Sequence, residues 1–84
     1  MSVPRIELKV LHTTDPAVEP LRRILLPLAA IARVEAVADA YRYPGARTLI
    51  RTRGVFEEIY AVAEPVSAIA ERAREAVFLD AVAV

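Results

Sequence analysis

Residues 23–37 read RILLPLAAIARVEAV. An apolar run of this length suits a buried helix, and Leu21, Ile24, Leu25, Leu28 and Ile31 do fall on one helical face. Two prolines stand against that reading. A helix over 16–40 would carry Pro20 and Pro27 in its body, each costing about 3 kcal/mol through a lost N–H and a ring clash. Pro27 also turns Leu26 away from helical dihedrals. The favoured reading is therefore a strand ending at Leu26, a turn over Pro27–Ala30, and a second strand IARVEAVA with Val34, Ala36 and Ala38 lining one face.

The flanking segments are short elements of the same kind. RIELKVL alternates, with Ile6, Leu8 and Val10 on one side and Arg5, Glu7 and Lys9 on the other, as in a half-buried strand. In HTTDPAVEP, Asp15-Pro16 suits the cap and first turn of a short helix, with a plain loop as the alternative. YRYPGAR centres a turn on Pro44-Gly45. RTLIRTR is rich in β-branched residues, Gly54 allows a reversal, and FEEIYAVA returns, so residues 46–63 read as a hairpin. EPVSAIAERAREAV opens with a proline at the first turn and carries a stripe of Val66, Ile69, Ala70, Ala73 and Val77, which predicts a helix over 65–78. Glu71, Arg72, Arg74 and Glu75 are expected to face water. The fold expected is a single α+β domain over 1–84: a small, mainly antiparallel sheet of four or five strands with one C-terminal helix packed on it.

From Arg23 onward the order of these signals resembles that of the small FlbD-like bacterial flagellar proteins and look-alike small phage proteins. The matching pieces are ILLPLAAIARVEAV, ARTLIRTRG and IYAVAEPVSAIAERA, about two thirds of the chain. Two points depart from the pattern: the segment before Arg23 is longer than the family's opening hairpin, and Pro65 stands where a Ser is usual. The resemblance implies a small, non-enzymatic accessory protein and carries over no catalytic residue.

Charge and composition narrow the chemistry. Eleven basic and eleven acidic residues cancel, which argues against binding driven by a general positive field. No cysteine is present, so disulfides and thiolate metal sites are excluded. The start of the chain shows no signal-peptide h-region, and no apolar run reaches membrane-spanning length, so a cytoplasmic protein is expected. His12 is the sole histidine; a metal site needs several converging ligands and a catalytic base an oriented partner, so it reads as a loop-edge residue. Asp15 and Glu19 read as a cap and a surface charge. Neither a glycine-rich phosphate loop nor a nucleophile elbow occurs. No catalytic residue, metal or cofactor is expected.

Two surfaces remain as candidates. Arg47, Leu49, Arg51 and Arg53 share one face of a strand, with Tyr41, Arg42 and Tyr43 in the adjoining turn. Arginine forks and tyrosine rings can hold a phosphate ligand, a nucleotide or single-stranded nucleic acid. Pairing of Glu57 and Glu58 with Arg51 and Arg53 across the hairpin would cancel that charge and is the favoured reading. Leu49, among arginines, suits a protein contact. The second surface is the tail FLDAVAV, where Phe78, Leu79, Val82 and Val84 accompany one charge. It would extend the helix, lie along its own sheet, or add to the sheet of a second copy. The high apolar fraction, 56% in 84 residues, favours the last and a two-fold homodimer. Protein–protein contact, with a partner the sequence does not name, is the expected mode of action.

Overall fold

The computed structural model describes residues 3–55 and 57–82, the side chain of Asp80 excepted. Its elements are β1 (Arg5–Lys9), β2 (His12–Thr13), β3 (Arg23–Pro27), a 3₁₀ turn over Leu28–Ala30, β4 (Ile31–Ala36), β5 (Thr48–Thr52), β6 (Ile59–Val62) and α1 (Val66–Val82). The α+β class and the helix at the C-terminal side are as expected. The prolines decide the central stretch as anticipated: Pro27 ends β3 and the 3₁₀ turn redirects the chain into β4. The short helix after Asp15 does not form. Asp15 instead closes a turn by accepting the Ala17 N–H at 2.9 Å, and residues 16–22 stay irregular.

The strands form two ladders, β1–β3 and β2-β6-β5-β4, all antiparallel. Two bent segments link them. Residues 5–14 pair first with β3, then swing at Val10–Leu11 so that the Leu11 N–H reaches Ala61 O at 2.8 Å. Residues 23–36 pair first with β1, then with β5. The hydrogen-bonded circuit thus closes on itself and gives the sheet an inside. That inside holds Ile6, Leu8, Val10, Leu26, Ile50, Tyr60 and Val62, and Ile69 of α1 completes it. Ile6, Leu8 and Val10 are at most 2% exposed while Arg5, Glu7 and Lys9 are exposed, so the alternation of the opening strand is realised in full.

α1 is seated by its first three turns. The Thr48 hydroxyl donates to Glu64 O at 2.6 Å, tying β5 to the chain two residues before the helix. The Ala68 N–H donates to Pro65 O at 3.0 Å, so the proline stands where its missing N–H is harmless. The stripe that reaches the sheet differs from the expected one. Ile69 is buried, and Arg72, Ala73 and Ala76 are half-buried, whereas Ala70 and Val77 are exposed. Arg72 was expected in water. It turns instead toward the sheet, donates to the Glu7 carbonyl and pairs with Glu64 at 2.5 Å. It covers a backbone acceptor on β1 that would otherwise lie open.

β4 is shorter than expected, ending at Ala36. A register shift lies between Ile31 and Arg33; beyond it Val34 pairs with Ile50 and is half-buried, while Ala36, at the end of the strand, and Ala38, past it, are exposed. Gly45 has φ +81° in the turn centred on Pro44-Gly45, and Gly54 has φ +126° after β5. Both conformations favour glycine. Leu21 also has φ +67°, an uncommon position for a branched side chain.

Candidate functional site

The arginine–tyrosine surface is divided by its own neighbours. β5 is buried on both faces, with Thr48, Ile50 and Thr52 inward and Leu49 outward but only 6% exposed. The cover over Leu49 is a second small cluster of Ala46, Ala61, Leu11, Val37, Tyr43 and Ile59. The expectation that Leu49 lies on an open interface is therefore corrected: the loop after β4 folds over it. His12 holds that loop, its Nε2 donating to the Pro44 carbonyl at 2.8 Å, with the Tyr43 ring centred 6.3 Å from the imidazole.

Arg51 is held by two carboxylates, its Nε 2.7 Å from Glu35 and its Nη1 3.3 Å from Glu57. The Arg51 hydrogen bond draws the Glu35 carboxyl below its usual range, and the same bond, with that to Glu57, raises the guanidinium. The pairing with Glu57 was expected from the hairpin; that with Glu35 follows from the β4–β5 register, in which Leu49 stands opposite Glu35. Arg53 donates through Nε to Ile31 O at 3.0 Å, and Glu58 serves Thr14 at 2.7 Å instead of Arg53. Arg42 stands 5.6 Å over the Tyr43 ring. Tyr41 is 97% exposed, and Arg47 is exposed with no ion-pair partner among the described residues. The open polar groups on this side are thus Tyr41, Arg42, Arg47 and the exposed Arg53, while Arg51 is neutralised and Leu49 covered.

Arg47 stands on the rim of an open hollow of about 460 Å³ between the loop after β4 and the start of α1, lined otherwise by Ala36, Val37, Ala40, Ala46, Pro65, Val66 and Ser67. Asp15 and Glu19 do not form a pair. Asp15 accepts the Tyr60 hydroxyl at 2.7 Å, and Glu19 pairs with Arg22 at 3.2 Å. Burial, then the Asp15 bond, push the Tyr60 phenol up to about 12. Among the described residues no three His, Cys, Asp or Glu side chains gather closely enough to hold a metal ion. No helix among them is long and apolar enough to cross a membrane.

The second surface is the end of α1. The tail takes the first of its three routes and continues the helix to Val82, so strand addition is not its geometry here. It does not finish burying the stripe, however. Ala76 is the last half-buried side chain; Val77, Phe78, Leu79 and Val82 are 52–66% exposed. At 100° per residue these four spread around most of the helix circumference. Val84 lies outside the described residues. Leu21 and Leu25 add exposed apolar groups at 66% and 62% on the β1–β3 side of the molecule.

Comparison with known proteins adds no identity: no family model, no curated protein and no solved structure matches this chain.

Proposed function

We propose that this chain is a small, non-enzymatic accessory protein of the cytoplasm that acts by protein–protein contact, its first partner being a second copy of itself. The observation that carries the reading is the end of α1. A helix with so wide an apolar span belongs in a buried setting, and here the last described turns carry Val77, Phe78, Leu79 and Val82 into water. Covering each would gain on the order of 1 kcal/mol. A group of such side chains at one end of a small chain is the mark of a contact surface. The FlbD-like resemblance, from which an accessory role follows, is consistent with this reading.

The test is sedimentation velocity of the intact chain beside Phe78→Ser/Leu79→Ser. The intact protein is expected to be dimeric at tens of micromolar and the variant monomeric with an unchanged far-UV spectrum. An intact chain that stays monomeric overturns the reading.

Exposed Tyr41, Arg42 and Arg47 favour a second reading, a phosphate-bearing ligand held at the turn that follows β4. A fluorescent single-stranded oligonucleotide would then bind with a steep salt dependence that Arg42→Ala/Arg47→Ala removes. Absence of binding at low salt eliminates it.

A further inference from the structure

The free part of α1 has a polarity along its length. Glu71, Glu75, Phe78, Leu79 and Val82 follow the spacing i, i+4, i+7, i+8, i+11 and share one stripe, on the side of the helix opposite Ile69. The stripe is acidic toward the middle of the helix and apolar at its end. Glu71 and Glu75 are exposed and have no ion-pair partner among the described residues. Arg74 stands beside the stripe rather than on it.

A surface of the opposite character lies elsewhere on the chain. The outer face of the β1–β3 ladder presents Arg5, Glu7 and Lys9 from one strand and Arg23 and Leu25 from the other. Leu25 is opposite Glu7, and Arg23 is opposite Lys9. Glu7 is taken by Arg23 at 3.0 Å, which leaves Arg5 and Lys9 without ion-pair partners among the described residues. The result is an exposed leucine, 62% open, ringed by an excess of cations. Within one chain the two surfaces do not meet, because Ile69 points into the sheet and the acidic–apolar stripe points away from it.

We infer that the acidic–apolar stripe of α1 in one copy seats on the outer β1–β3 face of a second copy, around Leu25, in a reciprocal two-fold dimer. This rests on the reading above that the helix end joins two copies, and it names the surface that receives it. The dimensions agree. Phe78 and Glu71 are about 10 Å apart along a helix, and Lys9 and Arg5 each lie about 7 Å from the level of Leu25 along the strand. With Phe78 over Leu25 and the helix running along the strand toward Lys9, Glu75 and Glu71 lie about 5 and 10 Å from Phe78 and bracket the level of Lys9, while Arg5 lies on the other side of Leu25, toward Val82. The apolar contact supplies affinity, and the charge complementarity selects this face over others. A two-fold axis makes both contacts at once, so neither surface is left open.

The experiment is a charge exchange read by sedimentation velocity. Glu71→Lys/Glu75→Lys and Arg5→Glu/Lys9→Glu alter only exposed side chains. Each alone is expected to self-associate about tenfold more weakly than the intact chain, since the charge contacts in its homodimer become repulsive. Mixed in equal amounts, the two should recover a dimer, because both contacts of the mixed pair are then complementary. Two results overturn the inference: charge variants that dimerise like the intact chain while Phe78→Ser/Leu79→Ser does not, or a mixture that stays monomeric after each variant has lost its dimer. Both leave the helix-end reading standing with another receiving surface. An intact chain that is monomeric at tens of micromolar removes inference and reading together, and another protein is then the occupant of the helix end.

Discussion

The two halves of α1 are built from similar residues and end in opposite situations. Ile69, in the first half, is 1% exposed and completes the inside of the sheet; Phe78, in the second, is 66% exposed. The first half has one apolar face and is anchored by Arg72 to Glu64 and to the Glu7 carbonyl. The second has apolar groups on several sides and, past Ala76, no half-buried side chain among those described. One face of a helix can be satisfied by the sheet it lies on. Apolar groups spread over about 200° of a helix end cannot all be, because a single sheet reaches only one side. The difference separates apolar residues that the chain itself covers from those it leaves exposed.

The sharpest way to break that comparison is to truncate one residue in each half. Ile69→Ala is expected to remove about 3 kcal/mol of stability, from lost burial and the cavity left behind. Phe78→Ala should change monomer stability by less than about 0.5 kcal/mol, as for an exposed position. Urea melts of both at low micromolar concentration decide the matter; equal losses would mean that Phe78 is covered by its own chain.

A smaller effect tests the inside that Ile69 completes. Tyr60 lies in that cluster and donates to Asp15, just past the neighbouring strand β2. Tyr60→Phe should lose about 1.5 kcal/mol at neutral pH, a hydrogen bond to a charged acceptor. The phenol is pushed from 10 up to about 12, so the folded state favours its protonated form. The stability linked to it is complete below pH 10 and is lost as pH rises from 10 through 12. Thermal melts across that window should show a steeper alkaline decline in the intact chain than in Tyr60→Phe.

The smallest effect concerns an exposed residue that asks for no partner. Leu21 holds φ +67° with its side chain 66% exposed. Leu21→Gly is expected to raise stability by up to about 1 kcal/mol through relief of backbone strain, offset in part by the greater freedom of the unfolded chain. A loss of stability would show that this side chain makes a contact of its own.

Legibility in the sequence follows the range of the interactions. The alternation of residues 5–10 and the break at Pro27 depend on local backbone chemistry, and both are realised. So is the hairpin between β5 and β6, whose turn residues and β-branched strand lie within 17 positions of each other. The burial of Leu49 was not legible, because its cover comes from Val37, Tyr43 and Leu11, brought in by tertiary folding. The second partner of Arg51 was hidden for the same reason: Glu35 arrives through the β4–β5 register. Arg72 read as a solvated charge because nothing in its neighbours along the helix announces the Glu7 carbonyl 65 residues away. The apolar character of the tail was legible, and its described large side chains are exposed. Its form was not legible, since a short apolar run without a stop signal is compatible with strand and helix alike.

Amide hydrogen exchange along α1, measured at several protein concentrations, tests the central claim most directly. If a second copy covers the end of the helix, amides of residues 77–82 exchange fast in dilute solution and become protected as concentration rises through the range in which sedimentation shows a dimer, while those of residues 69–76 are already protected in dilute solution and gain only the global stabilisation that dimerisation brings. Protection of 77–82 that is already high in dilute solution, or that stays low at every concentration, contradicts the account.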